Sequence, residues 1–172
     1  PLFEALAPGQ SATRWFPDAQ QVFDGIDDPH ELVPEVDRTI TLRFTARDDD
    51  PTGGRIASED VVVTVSGEPF YVTSPNGGGT YRGGQVVPVT WNVGGSDVDQ
   101  VRVSLFDTVS MSDLYSVVTD NDGHHELEMP CGFRVSNLRF MVSSIGAPGY
   151  QGSVEFYDVS DTPFTLDGQV AD

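Results

Sequence analysis

The sequence predicts an all-β protein, and three observations carry that expectation. From about residue 38 onward apolar residues recur with a period of two rather than 3.6. Clusters of Gly, Pro, Asn and Asp interrupt the pattern at intervals close to those of a β-sandwich. Asp outnumbers Glu by 19 to 8, a bias that suits turns better than helices. The second part of the chain holds seven strand candidates, which is the count of an immunoglobulin-like or fibronectin-like antiparallel β-sandwich. A partial β-domain precedes it, so the expected organisation is a partial Ig-like domain over 1–67 and a complete sandwich over 68–172.

Residues 1–37 carry no sustained period. They offer one helical turn around "DAQQVFDG", with Asp18 as its N-cap. Phe3, Trp15, Phe16 and Phe23 argue that this stretch packs against something, because a disordered linker carries fewer aromatics. "TITLRFTAR" then places Ile40, Leu42, Phe44 and Ala46 on one face, as in a half-buried strand. The turn "DDDPTGG" leads into "EDVVVTVSG", whose continuous apolar run predicts a central strand. Two strands cannot close a sandwich, so the first strands of this domain are expected before Pro1. "GEPF" at 67–70 reads as a linker.

The second domain is read as "FYVTSP", "QVVPVTWNV", "QVRVSLFD", "YSVVTD", "HHELEMP", "LRFMVSSIG" and a final "VEFYDVSDTPFTL" with room to split in two. Trp91 is its expected large core residue. Pro88, lacking an N–H, implies an edge position or a bulge. "TDNDGHHELEMP" reads as a hairpin around Asn-Asp-Gly. In its second strand His125, Leu127 and Met129 share one face, with Glu126 and Glu128 on the other.

Charge bounds the partners. Nine Arg and no Lys stand against 27 acidic residues, for a net charge of −18. Such a field repels phosphate backbones and anionic membranes, which excludes nucleic acid as a partner. The longest apolar runs, such as "VVVTV" at 61–65, are far too short for a membrane-spanning helix, and the mean hydropathy of −0.23 fits a soluble chain. A high-salt habitat or a demand for solubility would explain the acidic excess as well as a ligand would.

"DGHHELEMP" begins like the H-E-x-x-H zinc-protease motif, in which two His four apart on a helix grip one zinc and the Glu polarises its water. The residue four beyond His125 is Met129, and the residue four beyond His30 is Pro34, which would also break the helix. No G-x-S-x-G elbow places a serine nucleophile, and Cys131 beside Pro130 lacks a positioned base. No catalytic residue is therefore assigned. The single Cys131 is either a small buried hydrophobe or paired outside residues 1–172. Calcium is the one implied ion: Asp48, Asp49 and Asp50 in the turn, with Glu59 and Asp60 on the next strand, could converge across the hairpin on a cation that takes six to eight oxygens. Asp97 with Asp99, Asp120 with Asp122, and Asp158 with Asp161 read as turn chemistry. Tyr71, Tyr81, Tyr115, Tyr150 and Tyr157 could form a strip for carbohydrate or protein.

"SATRWFPDAQQVFDG", "LRFTARDDDPTGG", "SEDVVVTVSGEPFYVTSPNGG", "VTWNVGG" and "VEFYDVSDTPFTL", taken in order, resemble the tandem Ig-like region that follows the catalytic domain in secreted bacterial zinc metalloproteases of the reprolysin-like, metzincin class. The resemblance covers most of the chain. "TSPNGG" with "VTWNVGG" also resembles Ig-like modules of other secreted or surface proteins. It implies a secreted, non-catalytic accessory region that binds a protein or polysaccharide substrate or a surface, or stabilises and spaces its own catalytic domain upstream. The long metzincin histidine signature is absent from this chain, so no catalytic residue carries over. The alternative is an adhesion or carbohydrate-binding sandwich of an unrelated surface protein.

Overall fold

The computed structural model describes residues 7, 9, 14–26, 28–34, 36–48, 50–145 and 156–170. They fall into two compact units, one holding the described residues up to Val22 together with those from Asp28 to Gly67, the other Phe23–Ile26 with the described residues from Glu68 onward. Strands dominate both, as the period-two pattern requires.

The helix is α1 (Ala19–Asp24). Asp18 caps it as expected, its Oδ1 accepting the N–H groups of Gln20 at 3.0 Å and Gln21 at 3.4 Å. Gly25, at φ 66°, ends the helix in the left-handed conformation that a side chain resists. Arg14 holds Asp18 at 3.1 Å and also pairs with the buried Glu31.

The first unit's sheet is a single antiparallel hairpin of β1 (Arg38–Arg47) and β2 (Ile56–Val65). The expected strands and turn are present, but their burial differs from the reading. β1 is half-buried only at Ile40 and Leu42, and β2 is exposed along nearly its whole length rather than central. The reason is topological: among the described residues β2 pairs only with β1, so no second neighbour and no facing sheet covers its valines.

The second unit is a β-sandwich whose strand pairs are antiparallel except for that of Gly79–Gly83 with Phe164–Val170. One sheet has the order β3 (Tyr71–Ser74), β5 (Val86–Asn92), β8 (His124–Glu128). The other has the order β4 (Gly79–Gly83), β11 (Phe164–Val170), β9 (Arg134–Ser144), β6 (Gln100–Asp107), β7 (Ser112–Asp120), with β10 (Tyr157–Val159) also paired to β9. Alternate side chains of each sheet meet in one core. Val87, Val89 and Trp91 of β5, with Leu127 and Met129, face Val101, Val103 and Leu105 of β6, Leu138, Phe140 and Val142 of β9, and Phe164 and Leu166 of β11. Phe140 stacks on Phe164 at 4.5 Å, and Tyr81 sets its edge against both rings. Each large side chain so buried contributes about 1.5–3 kcal/mol by area.

The final segment splits into β10 and β11, as its length allowed. β4 was not anticipated, because its glycines read as turn; it pairs in parallel with β11, far along the chain. The Asn-Asp-Gly turn is a correction. It does not close a hairpin but carries the chain from β7 in one sheet to β8 in the other. Gly123 (φ 88°) accepts the Trp91 N–H through its carbonyl, the next rung of the β5–β8 ladder, and the Asn121 side chain ties the end of β7 to Trp91, Ser96 and Val98, so the turn is anchored to both sheets.

Pro88 is explained by the same geometry. Trp91 N–H bonds to Gly123, so by alternation Val89 and Val87 bond β8 and the Pro88 nitrogen turns the other way. On that side β3 has already ended, its last partner being Thr90. Pro88 therefore lies in a central strand, at a point where that strand is locally an edge.

Part of the outer face of the larger sheet, around Phe106 and Arg139, is also covered within this unit. Phe23 packs on Phe106 at 5.2 Å. The buried Arg139 donates to the Ser160 carbonyl and, at 2.7 Å, to the Phe23 carbonyl. No helix among the described residues is long and apolar enough to cross a membrane.

Candidate functional site

Both the described candidate calcium ligands and the largest concentration of exposed apolar side chains among the described residues lie on the β1–β2 hairpin. Its register sets the two faces. Ile40 opposes Val63, Leu42 opposes Val61, and Phe44 opposes Glu59; with Ala46 opposite Ala57 and Arg38 opposite Val65 they form one face, apolar except for Glu59 and the terminal Arg38. The other face carries Thr39 opposite Thr64, Thr41 opposite Val62, Arg43 opposite Asp60 and Thr45 opposite Ser58. Phe44 is 54% exposed and Val61 52%. A two-stranded hairpin with such a face is marginal in water without something packed on it.

The turn is built by its acids. Asp50, Pro51, Thr52 and Gly53 occupy a four-residue turn closed by the Gly53 N–H on the Asp50 carbonyl at 3.3 Å, with Pro and Gly where a type I turn favours them. Asp50 Oδ1 also accepts the Thr52 hydroxyl at 2.6 Å and its N–H at 2.8 Å, and those bonds hold its pKa below the usual carboxylate value. Asp48 Oδ1 accepts the Arg55 N–H at 2.6 Å. Asp60 is engaged by Arg43 in a fork, Nε at 2.6 Å and Nη2 at 2.8 Å. That hydrogen-bonded pair lowers the Asp60 pKa and raises that of Arg43.

The five candidate ligands thus have distinct placements. Asp48 and Asp50 both stand on the incoming side of one turn and spend acceptor oxygens on backbone N–H groups. Asp60 faces Arg43, and Glu59, its neighbour in an extended strand, points to the opposite face. Asp49 lies outside the described residues. Among the described residues no group of three or more His, Cys, Asp or Glu side chains is placed to share a metal ion.

The histidines stand as the alternation predicts. His125 is half-buried opposite Val89, Leu127 and Met129 are buried on the same side, and Glu126 and Glu128 are exposed. His124 lies 3.2 Å from Glu126 on the exposed face. His30 is exposed in the first unit, its N–H taken by Asp28 at 2.8 Å. Cys131 is exposed, which corrects the buried alternative: it follows Met129 and Pro130 into the loop beyond β8, past the last core position.

The tyrosines do not form one strip. Tyr81 packs in the core, where burial raises its hydroxyl pKa. Tyr71 and Tyr115 are exposed on different sheets, Tyr157 is half-buried, and Tyr150 lies outside the described residues. Of the weaker acidic pairs, Asp122 caps the His124 N–H at 3.1 Å. Asp158 does something the sequence did not signal: its Oδ2 accepts the Val72 N–H at 2.7 Å, joining β10 to the margin of the facing sheet. Burial, and then the nearby Asp161, raises its pKa against the opposing pull of that bond.

Comparison with protein-family models, curated proteins and solved structures finds no match for this chain.

Proposed function

We propose that this chain is a non-catalytic accessory region of a larger secreted zinc metalloprotease, with the β1–β2 hairpin as its attachment surface and the sandwich as spacer and binding module. The observation that supports this reading is the apolar face on which Phe44, Val61 and Val63 are exposed and Ile40 and Leu42 only half-buried. It has the alternation of a strand pair made to face a second layer, and its covering strands come, in this reading, from the parent polypeptide. The extended setting of His124 and His125 agrees with a role outside catalysis, because the zinc-protease motif needs both imidazoles on one helix face. The resemblance in segment order supplies the protease class.

Two measurements test it. The hairpin face should bind a hydrophobic dye such as ANS in the isolated chain, lose that binding in Phe44→Ser/Val61→Ser, and lose it equally in a longer chain that includes the preceding parent residues. Dye binding that persists in the longer chain would refute the covering. Peptidase activity of the isolated chain with zinc supplied, abolished by His125→Ala, would refute the non-catalytic role.

A further inference from the structure

The outer edge of β7 differs from the other free edges of the sandwich. At the margin of the smaller sheet, β3 has its Val72 N–H occupied by Asp158. β8, at the opposite margin, is five residues long and exposes Glu126 and Glu128. β4 is bounded by Gly79 and Gly83. Brevity, charge and an occupying side chain are the usual ways of blunting an edge. β7 runs for nine residues, and among the described residues no strand pairs with its outer side. Its tract "YSVVTD", Tyr115 to Asp120, is rich in β-branched residues and has no proline and no charge before Asp120, a composition that pairs readily with another strand. Val118 is 52% exposed there.

Register assigns the side chains to two sides. Val101, Val103 and Leu105 enter the core, so Thr119, Val117 and Tyr115 opposite them share that side. Leu114 is an extra residue between the partners of Leu105 and Phe106, so Asp113 opposes Phe106 and stands on the outer side. There it lies with Val118, Asp120 and Arg102, which it meets at a loose 3.8 Å. The two carboxylates are seven residues apart, about 23 Å along an extended chain. Between Asp97 and Asp122 there are six aspartates and one cation, Arg102. A second copy of a chain with net charge −18 is repelled from this edge; a cationic strand is drawn to it.

We propose that the outer edge of β7 takes up an extended basic peptide as a further strand of the larger sheet. Apolar residues of the peptide continue the side of Tyr115 and Val117, and its Arg or Lys residues meet Asp113 and Asp120. Main-chain hydrogen bonds supply the affinity, and the alternation of apolar and basic residues supplies the selectivity.

The test titrates the full chain into labelled octapeptides: alternating Arg-Val, alternating Glu-Val, and an Arg-Val peptide of the same charge with backbone N-methyl groups on two arginines and two valines, so that the N–H groups facing β7 are blocked in either strand direction. The Arg-Val peptide is expected to bind saturably, with the other two at least about tenfold weaker, since one lacks the charge and the other the N–H donors. Amide exchange should slow between Tyr115 and Asp120. Asp113→Asn/Asp120→Asn should weaken binding by about tenfold, from two partly exposed ion pairs, with unchanged circular dichroism. Equal binding of the N-methylated peptide would reduce the effect to net charge and overturn the proposal. So would protection confined to other strands, unaltered affinity of the double variant, or self-association of the chain through β7 in sedimentation.

Discussion

Replacing Asn121 by alanine tests the anchoring of the β7–β8 turn most directly. The side chain accepts the indole N–H of Trp91 at 2.8 Å and donates to Ser96 Oγ and the Val98 carbonyl, each at 3.2 Å. Trp91 is only 4% exposed, so its N–H cannot turn to water when the acceptor is removed, and an orphaned buried donor costs about 1–3 kcal/mol. The Val98 carbonyl is half-buried and adds about 0.5–1 kcal/mol. The expected loss is therefore about 1.5–4 kcal/mol, or roughly 6–32 °C in Tm for a unit of this size. The backbone bond from Asn121 N–H to the Asp99 carbonyl is unaffected, so the fold should survive. Urea and thermal unfolding followed by far-UV circular dichroism would measure the cost. Asn121→Asp keeps the acceptor for Trp91 and should lose less. In a Trp91→Phe background, which has no indole donor, Asn121→Ala should cost at least about 1 kcal/mol less. A loss below about 0.5 kcal/mol, or the same loss in both backgrounds, would refute the argument.

Three further outcomes follow from the sandwich. Arg139→Met strips the Ser160 and Phe23 carbonyls of their donor and should lower unfolding stability by about 2–4 kcal/mol, with Phe23 becoming accessible to quenchers or proteases. Gly168→Ala should destabilise by about 2–4 kcal/mol in denaturant titration, because an added Cβ would meet the Phe133 carbonyl oxygen at 2.2 Å and its nitrogen at 2.5 Å, both backbone atoms. For Asp158, whose folded pKa is raised by burial, the protonated form is favoured by folding; its contribution is full below the ordinary aspartate pKa and is lost as pH rises through the folded value. Asp158→Asn keeps an oxygen for Val72, so the difference in Tm between variant and parent should grow in the variant's favour across that rise and then level off. A difference that does not change with pH would refute the assignment.

Most strands were legible because alternation is written residue by residue: Val87, Val89 and Trp91, or Leu138, Phe140 and Val142, point one way whatever they pair with. Pairing was less legible. The Asp-Gly signal after β7 is local and marks a reversal, whereas the sheet the next strand joins is decided by Asn121 and Gly123 bonding to residues some thirty positions earlier. β4 was hidden because Gly79, Gly83 and Gly84 read as turn, while its partner β11 lies at the far end of the sequence. In the candidate site, parity alone separates Glu59 from Asp60, but the commitment of Asp60 to Arg43 needed the register, which places them directly opposite each other. The exposure of β2 was not legible at all, since a continuous valine run has the same composition whether it is central or uncovered.

The acidic composition acquires a local cause once the turns are seen. Asp18, Asp28, Asp50, Asp107, Asp122 and Asp167 each accept the N–H two residues further on, a bond that the short aspartate side chain makes and the longer glutamate does not favour. That accounts for aspartate over glutamate without a metal. It does not account for the charge, because asparagine makes the same turn with a neutral acceptor. Geometry selected a short side chain with an oxygen at its tip, and a separate requirement selected its ionised form. Solubility and high salt act on the whole surface alike, whereas a cationic partner acts where the carboxylates border an open edge. The margin of β7, flanked by Asp113 and Asp120, is where those two requirements can be told apart.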